Sequence, residues 1–161
     1  MKIVFLDVDN VLNSKAWFRR HPTPRRFSVD PECCKRVVKI CKESKAALIV
    51  SSSWRLKMKP RHLVECLSAG GITKELVLGF TPHLLPLVFA ANWEELEEPP
   101  RGLEITEWLR RWHKLNDSDV EKFVILDDKD DMFGLQDHLV QTNPEIGISD
   151  ADVQAAISHL T

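Results

Sequence analysis

The apolar run Ile3-Val4-Phe5-Leu6 ends abruptly in Asp7-Val8-Asp9, and this junction of a buried strand with two closely spaced carboxylates constrains the chain more than any other feature. Like charges held this close repel, and burial raises the penalty. A divalent cation relieves both problems. A second acidic cluster offers further ligands: Asp127-Asp128-Lys129-Asp130-Asp131 closes the apolar run Phe123-Val124-Ile125-Leu126. One acidic strand end is ambiguous; two point to a site for a hard metal ion.

The rest of the chain alternates strand and helix, the pattern of an α/β fold with a mostly parallel sheet and helices on both faces. Asp30-Pro31 reads as an N-cap followed by proline at the first helical position, opening a helix with Cys34, Val37, Val38 and Cys41 on its buried stripe. Ala46 to Val50 is the next strand and ends in Ser51-Ser52-Ser53-Trp54-Arg55. A helix over Arg61 to Ala69 stops at Gly70-Gly71, and Leu76-Val77-Leu78 makes a short strand. Prolines 82, 86, 99 and 100 then mark a long irregular connection. Helical spacing returns from Gly102, with Ile105, Trp108, Leu109 and Trp112 on one face. After the Phe123 strand come a short strand near Leu139-Val140 and a last helix opening at Ser149. Asp152, three residues on, forms a weakened capping box, and Val153, Ala156, Ile157 and Leu160 face inward.

With 161 residues and no internal repeat, one domain over 1-161 is expected, carrying a small basic flap at about 14-29. A net charge of −2 argues against a wholesale polyanion binder. No apolar run reaches transmembrane length and the amino terminus shows no signal-peptide pattern, so the expectation is a cytoplasmic protein without a membrane partner. The four cysteines lack the spacing of a zinc site and read as small buried hydrophobes.

In open α/β sheets, ligands bind beyond the carboxyl ends of the strands. Here those ends carry Asp7 with Asp9, Ser51 with Ser52, and Asp127 with Asp128, while Arg101 opens a helix in Pro99-Pro100-Arg101-Gly102. Carboxylates, hydroxyls, a fixed cation and a divalent metal are the components of phosphoryl transfer. In this order the residues resemble the haloacid dehalogenase (HAD) superfamily of phosphohydrolases. Ser-Ser-Trp-Arg, Arg-Gly-Leu-Glu-Ile-Thr-Glu-Trp-Leu and Val-Ile-Leu-Asp-Asp resemble, more narrowly, the phosphatase-like domain of Swiss-army-knife RNA-repair proteins.

The resemblance implies a three-layer α/β/α Rossmann-like fold and the following roles. Asp7 would be the nucleophile, forming an aspartyl-phosphate. Asp9 would give a proton to the leaving oxygen and later take one from water. Magnesium (Mg2+) would be held by Asp7, the backbone carbonyl of Asp9 and Asp127. Ser51, perhaps with Ser52, and Arg101 would bind the phosphate, and Asp128 would act from behind, with Asp131 as a further contributor if a helix begins at Asp127. Asn10, Arg55, Arg19 and Arg20 are candidate substrate contacts. Three points depart from the superfamily pattern: arginine at 101 where lysine is commoner, so that Lys57 or Lys59 could supply the charge; Asn10 where glycine is common; and three consecutive serines, which leave the hydroxyl assignment open.

The insertions are too short for a large cap domain, which favours an open site and bulky substrates. Arg19, Arg20, Arg25 and Arg26 interleave with Trp17, Phe18 and Phe27, a mixture that can follow a phosphate backbone and stack on bases; alone, it reads as a solvated flap. The expected partner is a phosphomonoester substrate, with an RNA or DNA end ahead of other classes. The alternatives are a phosphatase of small phosphomonoesters such as nucleotides, and a non-catalytic binding or regulatory module on the same fold. The oligomeric state stays open.

Overall fold

Five strands form one parallel sheet in the order β3-β2-β1-β4-β5, where β1 is Lys2–Leu6, β2 Ala46–Val50, β3 Val77–Phe80, β4 Lys122–Asp127 and β5 Leu139–Gln141. The computed structural model describes residues 1–21, 27–84, 99–116 and 119–161. Six helices accompany the strands among these residues: α1 Lys15–Arg20, α2 Pro31–Ser44, α3 Trp54–Lys57, α4 Pro60–Ala69, α5 Arg101–Asn116 and α6 Asp150–Leu160. The α/β fold expected from the alternating pattern is present.

The sheet separates two cores. Val4, Leu6, Leu48, Val50, Val124 and Leu126 point to one side, against the apolar faces of α2, α4 and α6. Ile3, Phe5, Ile49 and Ile125 point to the other, against Ile105, Trp108 and Leu109 of α5. Alternate residues of a strand serve opposite faces, so a strand covered on both sides must be apolar throughout. Phe5 packs edge-to-face on Trp108 at 5.4 Å and on Phe123 at 5.7 Å, each pair contributing about 0.5–1.5 kcal/mol beyond burial.

Helix starts follow the local rules. Asp30 caps α2 by accepting from the Glu32 N–H at 2.9 Å, with Pro31 at the first position. Ser149 and Asp152 form a full reciprocal capping box on α6, stronger than the weakened one expected. On α2 the fully buried stripe includes Cys33 and Ile40, while Val38 is only partly buried. The cysteines are free thiols, and burial pushes Cys34 and Cys41 up to about 12. Among the described residues no helix is long and apolar enough to cross a membrane.

Two expectations need correction, and a third falls outside the described residues. The stretch after β1 is not wholly irregular: Ser14 accepts from the Trp17 N–H at 3.1 Å and starts α1, which buries Trp17. The flap's Arg25 and Arg26, like Pro86 of the long connection, lie outside the described residues. No helix begins at Asp127, because the chain turns instead and reaches a left-handed Phe133 (φ 47°) and Gly134 (φ 94°).

That turn is locked to the start of α5. Asp131 accepts from the Arg101 N–H through Oδ2 at 3.1 Å and from the Gly102 N–H through its carbonyl at 3.1 Å. A methyl group on Gly102 would fall 1.7 Å from the Met132 carbonyl oxygen, so only glycine permits this approach. Gly102→Ala should therefore destabilise the fold by about 1–3 kcal/mol, as overpacking does, although alanine is the better helix former. Urea denaturation monitored by circular dichroism checks this; a neutral or stabilising result would show that α5 and the 131–132 turn are not in contact.

Candidate active site

The strand order reverses direction between β1 and β4, and a crevice at such a switch point is where α/β sheets bind ligands. Leu6 is in register with Leu126, so the chain delivers Asp7 and Asp127 side by side. The Asp7 N–H donates to the Leu126 carbonyl at 2.9 Å, fixing the two strand ends together. Asp127 is fully buried and Asp7 is 5% exposed. One carboxylate oxygen from each of Asp7, Asp127 and Asp128 lies within 4.8 Å of the others.

Among the described residues, Arg101 is the cation that forms ion pairs with these carboxylates. Arg101, the first residue of α5, places Nε 3.4 Å from Asp127 Oδ2 and Nη2 3.9 Å from Asp7 Oδ1. The guanidinium is also held by the Ser51 carbonyl, to which Nη1 donates. Asp127 Oδ1 accepts from the Lys129 N–H at 3.0 Å, whereas Oδ2 is buried without a hydrogen bond. Burial and then repulsion from Asp7 push the Asp127 carboxyl up to about 7. Asp7 is raised too, mainly by burial, with Arg101 opposing. The two titrate as a pair rather than separately.

The cluster fits a divalent cation. Its donors are all carboxylate oxygens, the hard ligands that magnesium prefers. The guanidinium meets two of the three carboxylates, and Asp127 Oδ2, buried without a hydrogen bond, is an atom such an ion would satisfy. Asp7 and Asp127 stand together as expected. Asp128, expected only as a supporting residue, offers an oxygen to the same space.

The Asp9 side chain lies apart from this cluster. Its Oδ1 accepts from Asn13 Nδ2 at 3.1 Å and its Oδ2 from Trp54 Nε1 at 2.9 Å. Asn10 adopts the left-handed conformation (φ 61°) that explains why glycine would be at home there. Rather than reaching outward, its amide donates to Asp128 Oδ2 at 3.0 Å. The Ser52 hydroxyl accepts from the Trp54 N–H at 3.3 Å and helps hold the Asp7 carboxyl down against burial, whereas the Ser51 hydroxyl is buried without a hydrogen bond.

The arginines proposed to contact substrate have other attachments. The Arg55 side chain is only 6% exposed and pairs with Glu104. It donates to the carbonyls of Ser51 at 2.9 Å, Ser52 at 2.8 Å and Thr81 at 3.1 Å. Its guanidinium thus braces the serine loop from inside. Arg19 and Arg20 are exposed on α1, where Arg19 pairs with Glu145 at 2.8 Å and Arg20 lies 4.0 Å from Asp30. Lys57 and Lys59 are exposed, and it is Arg101 that meets the carboxylates.

Sequence reasoning missed Asn13 and Trp54 as partners of Asp9, and Glu104 as the anion between Arg55 and Arg101. The Arg101–Glu104 spacing of one helical turn was a usable signal for the last. Nothing local signals the first two, because both contacts depend on how separate loops fold together.

One family model, described as "HAD domain in Swiss Army Knife RNA repair proteins", matches residues 3–153. No curated protein and no solved structure matches the chain.

The raised Asp127 value has a measurable consequence. An unfolded aspartate releases its proton near 4, whereas folded Asp127 keeps one until about 7. The proton's contribution to stability is complete below about pH 4 and is lost as pH rises through about 7. In EDTA, the melting temperature of the wild type relative to Asp127→Asn should fall across that window, and Mg2+ should restore it above neutral pH in the wild type only. Scanning fluorimetry checks both; a wild-type advantage that grows with pH in EDTA contradicts the assignment.

Proposed function

Because the chain belongs to the family of HAD domains found in Swiss Army Knife RNA repair proteins, a family of HAD-type phosphohydrolases, we propose that it hydrolyses phosphate monoesters in a magnesium-dependent reaction through an aspartyl-phosphate on Asp7. The observation that carries this reading is the convergence of Asp7, Asp127 and Asp128 within 4.8 Å, with Arg101 alongside.

The chemistry follows from what each group can do. A carboxylate nucleophile needs no base to activate it, but it must meet an anionic phosphate. Asp7, Asp127 and Asp128, with the Asp9 backbone carbonyl, would hold Mg2+, which when bound supplies the positive charge that lets the two anions approach. Asp7 attacks phosphorus and the ester P–O bond breaks. Asp9 gives its proton to the departing oxygen, the role of a general acid. Water then attacks the phosphoryl group, Asp9 recovers a proton from it, and inorganic phosphate leaves with Asp7 regenerated. Arg101 offers its guanidinium to the non-bridging oxygens, and Ser52 steadies the Asp7 carboxylate.

As substrate we favour a nucleic-acid end. Support comes from the family, whose description places such domains in RNA repair proteins. It also comes from the exposed arginines 19 and 20 on α1, the helix that follows the Asp9 loop. A second reading, small phosphomonoesters such as nucleotides, draws on the acidic partners those arginines already have.

With Mg2+ present, Asp7→Asn should abolish turnover of a generic aryl phosphate, and Arg101→Ala should lower kcat by about 10²–10³-fold, the usual effect of removing a charge-stabilising donor. Phosphate release from 3′- and 5′-phosphorylated oligonucleotides and from mononucleotides then ranks the substrates. Full activity in Asp7→Asn refutes the nucleophile, and mononucleotides surpassing every oligonucleotide decides for the second reading.

A further inference from the structure

Of the acidic side chains at the crevice, Asp9 is held in the most particular way. It sits two residues from Asp7 yet takes no part in the carboxylate cluster, and both of its oxygens are occupied by N–H donors from buried side chains. Trp54 is 2% exposed and Asn13 is 1% exposed. The indole nitrogen can only donate. The Asn13 amide is oriented by its other bonds: its Oδ1 accepts from the Asn10 N–H at 2.9 Å, and its Nδ2 also faces the Ser28 carbonyl at 3.4 Å. The Asn13 nitrogen therefore faces Asp9.

Trp54 is itself fixed. It begins α3, its ring packs edge-to-face on Phe27 at 5.1 Å, and its backbone N–H donates to the Ser52 hydroxyl at 3.3 Å. That hydroxyl also helps hold the Asp7 carboxyl down, so the stretch Ser52 to Trp54 acts on both aspartates, on Asp9 through a direct hydrogen bond.

We infer that Trp54 and Asn13 are positioning residues for proton transfer: they clamp the Asp9 carboxylate outside the metal cluster, where it meets the leaving-group oxygen. An aspartate side chain has two rotatable bonds, and a free Asp9 would swing toward Arg101 or a bound cation. Pinned at both oxygens, it keeps its remaining lone pairs facing the crevice. Neither partner can accept Asp9's proton through the N–H that holds it, so the proton passes to the substrate oxygen as the P–O bond breaks. Displacing a reacting group by about 1 Å costs on the order of 10²-fold in rate.

This assignment rests on the phosphatase reading above, and its test separates the two. A proton donor matters for an alkoxide leaving group and hardly at all for nitrophenolate, and kcat/KM reports the first irreversible step alone. With Mg2+, Trp54→Phe should lower kcat/KM for a simple alkyl phosphate about 10- to 100-fold and for p-nitrophenyl phosphate at most about threefold. In an Asp9→Asn background the same substitution should have no further effect on the alkyl ester, since the two residues act as one unit. Asn13→Ala, which removes the donor without adding a charge, should show the same selectivity and serves if Trp54→Phe does not fold. Proportional losses on both esters, or an undiminished effect of Trp54→Phe in the Asp9→Asn background, overturn the inference while leaving the phosphatase intact. A wild-type protein that cleaves neither ester overturns the phosphatase reading and this assignment with it.

Discussion

Two carboxylates released from adjacent parallel strands, both removed from water, set the terms for everything around them. Neighbouring strands lie about 4.8 Å apart, and at about 4 Å two unit charges repel by roughly 4 kcal/mol even at the effective dielectric of a protein surface. The sheet could avoid this only by separating β1 from β4, which would open both cores at their centre. Instead the charge is met locally, by Arg101 from the face that α5 covers and by a place where a divalent ion fits. The fold and the chemistry are one problem here, since the pairing that completes the sheet also creates the charge that must be neutralised.

Arg101 is only as well placed as its surroundings, and those are built in depth. Glu104, 3% exposed, pairs with Arg55 and lies 3.5 Å from Arg101 Nη1. Arg55 in turn fastens the carbonyls of the serine loop and of Thr81. A buried ion pair adds little net stability but is strongly unfavourable to break, so this Arg–Glu–Arg chain acts mainly to fix geometry. It couples the ends of β2 and β3 to the start of α5, with Arg101 as the member that meets the carboxylates of the crevice.

The strands, the caps of α2 and α6, and the positions of Asp7, Asp127 and Arg101 were legible in the sequence because each rests on a local pattern. Apolar runs ended by acids, Asp-Pro before a helical stripe, and Ser-x-x-Asp at a helix start all encode their structure within a few residues. What escaped depends on tertiary approach. The sequence shows the charge of Arg55 and not Glu104 beneath it. The Trp54 ring packs on Phe27, but its nitrogen also meets a loop 45 residues earlier. The run from Asp127 to Asp131 had helical spacing, yet Asp131 is drawn instead to the N-terminus of α5. Helical spacing in so short a segment is weaker than one buried helix end in need of acceptors.

The aromatic inventory has a practical side. The chain contains five tryptophans and no tyrosine, so its intrinsic fluorescence comes from indole rings. Trp108 and Trp112 stack at 5.3 Å on the helix that Arg101 begins, and Trp54 holds Asp9. One of the five emitters thus touches Asp9 directly, and two more ride on the helix that carries Arg101. Indole emission is therefore the natural optical readout for changes at that crevice.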